Sequence, residues 1–140
     1  MTTDKDLVEK VKFPSEIKYL NEVQQFVDRI CERYNVEIED YGNILISLTE
    51  AVTNAIQHGN QNDPNKTVTI AFQKNNNEFE FTIVDEGKGF DYKNIPDPTS
   101  KENLLKPSGR GIFIIKNLCD EICFYENGKK VCIKFVLPCS

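Results

Sequence analysis

Between residues 67 and 84 apolar and polar side chains take turns. Val68, Ile70 and Phe72 alternate with polar neighbours, Phe79, Phe81 and Ile83 repeat the pattern, and Asn75, Asn76 and Asn77 stand between the two runs. A period of two marks strands with one face in a core and one toward water, and a short Asn-rich connection suits a hairpin. Two strands joined this way pair antiparallel, and their common apolar face has to be covered. The covering elements are legible upstream. Ile17, Leu20, Val23, Val27, Ile30 and Tyr34 recur at intervals of three and four, one apolar stripe on a helix predicted over 15–35. Pro14 marks its entry, Ser15 its cap and Asn35 its end. Ile38, Tyr41, Leu45, Leu48, Val52, Ala55 and Ile56 form a second stripe, on a helix that starts near Glu37 and stops at Gly59.

The remaining chain fits around this nucleus. Residues 6–13 alternate weakly, with Val11 and Phe13 on one face, and read as an edge strand. The segment NQNDPN at 60–65 is a turn-rich loop. From Asp85 to Pro107 glycines and prolines interrupt any regular pattern; a loop longer than about fifteen residues in a compact domain is usually functional or disordered, and this one is placed where it could close as a lid. SGRG at 108–111 opens a short helix through Ile112, Ile115 and Leu118, and strands at 122–125 and 131–138 flank the turn ENGK. The predicted class is α+β: a two-layer sandwich of a mostly antiparallel sheet with helices on one face. A length of 140 residues suits one domain, 1–140.

Charge and composition narrow the partners. Net charge is −5 and the 17 basic residues are scattered, which argues against nucleic acid, whose phosphates require a basic face. No apolar run approaches the ~20 residues that span a bilayer, and MTTDKDLVEK lacks the apolar stretch of a signal peptide, so no membrane association and a cytoplasmic location are expected. The five cysteines are odd in number and lack metal-ligand spacing, as expected of reduced thiols packed as small hydrophobes.

Three clusters carry chemistry. Glu50 and Asn54 lie four apart and share a face of the second helix. Asp85, Gly87 and Gly89 follow directly on a strand, where glycine permits a turn with positive φ and the close approach of a flat ligand. Gly109, Arg110 and Gly111 open a helix whose free amides and dipole suit a phosphate. Singly, each also reads as ordinary structure: a solvated helix face, a strand-to-loop turn, a glycine-containing helix entry. Neither the P-loop signature nor the dinucleotide fingerprint is present. Jointly, the three have the parts of a nucleotide site.

The motifs LTEAVTNAIQHG at 48–59, DEGKGF at 85–90 and SGRGIFII at 108–115, in that order, resemble the N-box and two glycine boxes of the GHKL ATPase superfamily. Within it the chain looks most like the stand-alone anti-sigma factor serine/threonine kinases of bacterial partner switching. The resemblance implies ATP and Mg²⁺ as cofactors. Glu50 matches the general base, Asn54 the Mg²⁺ ligand and Asp85 the acceptor of the adenine amino group. Gly87 and Gly89 match the turn beneath adenine, Gly109 and Gly111 the phosphate-side glycines, with Arg110 between them. His58 reads as a structural helix-end residue. Val131 and Cys132 stand where relatives often carry threonine near the base. The implied partners are an anti-anti-sigma (STAS-type) protein as substrate and a sigma factor or other regulator as competitor, with a homodimer as the assembly. The transducer domain of gyrase- and MutL-like enzymes and the upstream phosphoacceptor histidine of a complete histidine kinase are therefore not expected. Two other readings fit the same motifs: an ATP-gated binding module that transfers nothing, and a detached histidine-kinase catalytic domain.

Overall fold

The computed structural model describes residues 8–87 and 107–138. Strand β1 (Val8–Pro14) leads through a 3₁₀ turn (Ile17–Tyr19) into helices α1 (Leu20–Arg33) and α2 (Ile38–Asn54). A single π turn, Ala55–Gly59, extends α2. The hairpin of β2 (Thr67–Asn75) and β3 (Glu78–Val84) follows, then α3 (Pro107–Leu118), β4 (Glu121–Tyr125) and β5 (Lys130–Val136). The five strands form one sheet in the order β1-β2-β3-β5-β4, and every neighbouring pair is antiparallel. The predicted α+β sandwich is therefore the observed architecture.

Side-chain alternation decides which face of the sheet is covered. Phe72 stands opposite Phe81, and Phe81 opposite Ile133. With Val68, Ile70, Phe79, Ile83 and Phe135 they make one continuous apolar face, each at most 3% exposed. Val23, Phe26, Val27 and Ile30 of α1 and Ile44, Leu48 and Val52 of α2 close over it. The rings pack with Phe72 and Phe81 centroids 5.0 Å apart and Tyr34 edge-on to Phe79 at 5.5 Å. On the opposite face Glu80 and Glu121 flank Lys134 at 3.8 and 3.5 Å. Burial pushes the Cys31 thiol up to about 11 and that of Cys132 up to about 12, so both stay protonated and pack as small apolar groups.

Several local expectations need correction. Ser15 does not cap a helix. Its backbone N–H and its hydroxyl both donate to the Lys66 carbonyl, at 3.0 and 2.9 Å, and α1 begins only at Leu20. Ile38, predicted as the first residue of the α2 stripe, is 84% exposed, so burial starts a turn later. The predicted second helix loses its α geometry at Ala55, where the Asn60 N–H reaches back to the Ala55 carbonyl at 2.8 Å. Asn35 and Asn76 take left-handed backbone (φ 52 and 58), as expected of residues that end a helix and turn a hairpin. Gly89, Cys139 and the predicted lid at 88–106 lie outside the described residues. Among the described residues no helix is long and apolar enough to cross a membrane.

Candidate functional site

Helix α2 lies with its apolar stripe on the sheet, which leaves Glu50 and Asn54 half-buried along its flank. Helix α3 packs against that flank through Gly111. A Cβ on Gly111 would lie 3.0 Å from Glu50 Oε2 and 3.2 Å from Asn54 Nδ2, so a larger residue would press on both. The expected grouping of Glu50, Asn54 and the second glycine motif is thus present. Gly109, Arg110 and Gly111 lie within the first turns of α3 rather than ahead of it. The backbone N–H groups of that first turn have no partner within the helix, and Pro107, in first place, has no N–H to leave unused. The side chain of Arg110 is exposed.

Asp85 continues β3 by one residue, its N–H donating to the Lys129 carbonyl at 3.0 Å. Its carboxylate turns back to accept the Gly87 N–H at 2.8 Å. Only 8% of Asp85 is exposed. Burial pushes its carboxyl above the usual range, against the opposing pull of the Gly87 N–H and of Lys129 and Lys66. The glycines here serve close approach rather than unusual backbone. A methyl group on Gly87 would overlap the Gly59 carbonyl, and one on Gly59 would overlap the Asp85 carboxylate. Among the described glycines, positive φ belongs to Gly128 alone (φ 89), which corrects the expectation of a left-handed turn at Gly87.

Between these groups lies a cavity of about 160 Å³. Ala51, Asn54, Ala55, His58 and Gly59 form one wall, Ile83 and Asp85 the floor, and Ile112 and Ile115 of α3 a second wall. Ile122, Phe124, Gly128 and Val131 complete it from the β4–β5 hairpin. An apolar cavity of about 150 Å³ holds a benzene ring, so this one accommodates a flat aromatic ring between aliphatic walls, with one carboxylate at its edge. Glu50 stands outside it, beside Gly111. His58 is exposed at the end of the π turn, yet it also borders the cavity. Of the two residues at the usual threonine positions, Val131 lines the cavity. Cys132 points to the opposite sheet face, between Thr82 and Cys123.

Asn60, in the loop at 60–65, joins the site to the sheet. Its side chain is wholly buried, with Nδ2 donating to Ser15 Oγ at 2.6 Å and to the Thr67 carbonyl at 2.9 Å, while Oδ1 accepts the Glu86 N–H at 2.8 Å. Glu86 in turn accepts the Thr67 N–H and its hydroxyl, contacts that hold its carboxyl below the usual range. An Asn in a turn-rich loop carries no local sign of such a role, because Ser15 and Glu86 are distant in sequence.

A ring-sized pocket with an acceptor at its edge, a carboxylate–amide pair on one helix, and the amino end of another define a nucleotide-binding fold of known type. Residues 13–136 match the histidine kinase-like ATPase domain, and the chain belongs to that family. Over most of its length it is similar to the serine-protein kinase RsbW of Bacillus velezensis, with 28% identity covering 91% of this chain and 82% of that protein. RsbW of Bacillus subtilis is 26% identical, covering 87% of this chain and 79% of the relative. The crystal structure of the RsbU and RsbW domains of a Mycobacterium tuberculosis protein shares the fold, with a TM-score of 0.60 at 13% identity. That likeness covers 92% of this chain, which spans 31% of the longer one.

Proposed function

We propose that this chain is an ATP-dependent serine/threonine protein kinase and anti-sigma regulatory factor of a bacterial partner-switching system. It phosphorylates an anti-anti-sigma (STAS-type) protein and sequesters a sigma factor or other regulator, acting in the cytoplasm as a homodimer of single-domain chains. The observation that carries the reading is the convergence of Glu50, Asn54 and Gly111 beside the cavity that Asp85 borders.

In this reading adenine lies between Val131, Ile83 and the aliphatic side chains of α2 and α3. A carboxylate only accepts hydrogen bonds, so Asp85 pairs with the amino group of adenine and rejects the carbonyl of guanine. The ring stacks beside Gly59 and Gly87. The phosphates then run toward Asn54 and the first turn of α3, where the amides around Gly109, Arg110 and Gly111 receive them. Among the described residues no three His, Cys, Asp or Glu side chains gather as a metal cage. One Asn oxygen beside a carboxylate fits Mg²⁺ all the same, since that ion is usually held by few protein oxygens plus substrate phosphates and water. Bound at Asn54, it would neutralise charge on the β- and γ-phosphates. Glu50 accepts the proton of the acceptor hydroxyl as its oxygen bonds to the γ-phosphorus and ADP departs, so the work is positioning and charge stabilisation.

The test is transfer of labelled γ-phosphate from ATP to protein of the source organism, with Glu50→Gln in parallel. An acid-stable label that falls by about 10²–10⁴-fold in Glu50→Gln, with ATP binding retained, is the expected result. Equal labelling by both proteins removes Glu50 as base. An acid-labile label indicates a histidine acceptor, and ATP binding without any label indicates a nucleotide-gated binding module.

A further inference from the structure

Asp85 reads a base only if its carboxylate is held still, and the structure holds it from three sides. Its own N–H is tied to the Lys129 carbonyl and its carboxylate to the Gly87 N–H. The third tie is the next peptide, whose Glu86 N–H donates to Asn60 Oδ1 at 2.8 Å. Asn60 is itself immobile. It is wholly buried, and both side-chain donor hydrogens are used, on Ser15 Oγ and the Thr67 carbonyl. Its amide cannot be turned over, because the Thr67 carbonyl only accepts and the Glu86 N–H only donates. Ser15 Oγ accepts from Asn60 and donates to the Lys66 carbonyl, so the chain of hydrogen bonds has one direction throughout. It joins the end of β1, the start of β2 and the end of the π turn to the turn that presents Asp85.

We infer that Asn60 is a positioning residue for base selection. Its carboxamide oxygen fixes the peptide after Asp85, and with it the place of the adenine acceptor, in a pocket whose remaining lining is apolar apart from Asn54 and His58. This rests on the nucleotide reading above. Loss of the oxygen frees the Asp85–Glu86 peptide and costs recognition of adenine in particular; loss of the Nδ2 donors costs stability but leaves the acceptor of the Glu86 N–H in place.

The test is the ratio of dissociation constants for GTP and ATP, titrated with the full chain in the wild type, Asn60→Ala and Asn60→Asp, below the melting temperature of each. A variant that is merely less stable weakens both nucleotides alike and leaves the ratio unmoved. Asn60→Ala is expected to lower the wild-type preference for ATP by at least about tenfold, the worth of a hydrogen bond to a charged group. Asn60→Asp keeps an acceptor for Glu86 and is expected to hold the ratio within about threefold of wild type while melting at a lower temperature. If Asn60→Ala does not fold, Asn60→Ser, too short to reach Glu86 but polar enough for a water to fill the gap, is read the same way. An unchanged ratio in the Ala or Ser variant, or an equal fall in the Asp variant, overturns the inference. Wild type that binds neither nucleotide overturns the nucleotide reading itself and this inference with it.

Discussion

Burial raises the carboxyl of Asp85 above its ordinary value of 3.8 even though the Gly87 N–H donates to it, so its ionised form is disfavoured in the fold. A folded value above the unfolded one stabilises the protein fully below the unfolded value, and that contribution is lost as pH rises through the raised value. Asp85→Asn removes the charge and retains an oxygen for the Gly87 N–H. Nucleotide-free Asp85→Asn is therefore expected to melt above wild type at neutral pH, with the gap narrowing as pH falls toward 3.8. The same variant should bind ATP about 10–100-fold more weakly, since a hydrogen bond to a charged group is worth roughly 1.5–3 kcal/mol. Thermal melts across pH, with and without ATP, read both effects. Asp85 was legible in the sequence because an acid closing an alternating strand before two glycines is a local pattern. Asn60 was not, because Ser15 lies 45 residues away and Glu86 lies 26 away. Gly87 was legible as a necessary glycine but for another reason than the real one, since its crowding by the Gly59 carbonyl exists only in the folded chain.

Elements that follow a strict period were the most legible. The β2–β3 hairpin and its inward face could be written down residue by residue, and that face predicts where substitutions matter. Phe81 packs between Phe72 and Phe135, at 5.0 and 6.1 Å between centroids, so Phe81→Ala is expected to cost about 3–5 kcal/mol. Its neighbour Glu80 faces the other way, toward Lys134 at 3.8 Å, and Glu80→Ala should cost under about 1 kcal/mol. Urea midpoints at constant m-value separate the two. The π turn after α2 was not legible, since Ala55 and Ile56 continue the apolar stripe of α2 without a break. What ends the α geometry there is tertiary: Gly59 must meet Gly87, and Asn60 must reach two strands at once.

For the molecule as a whole, ligand binding and folding are one equilibrium. The pocket draws on both helices of the site, the sheet and the β4–β5 hairpin, so it exists only when all of them are assembled. ATP at 100 times its dissociation constant is expected to add about 2.7 kcal/mol to stability, or about 8–10 °C in melting temperature for a chain of this size. Scanning calorimetry with and without Mg²⁺–ATP measures it, and at the same ATP concentration Asp85→Asn should lose about half to five-sixths of the shift. The sheet order carries a consequence for how the chain comes into being. Phe13 of β1 stands opposite Val68 of β2, and both early helices are made between them. On a ribosome, β1, α1 and α2 emerge with their apolar sides bare and nothing to pair with until the central hairpin follows. Contacts so far apart in sequence form slowly, and nascent chains in that condition are prone to stick to one another. The amino-terminal half is thus the stretch over which a newborn chain most needs a chaperone's shelter, and the arrival of the hairpin is the moment that need ends.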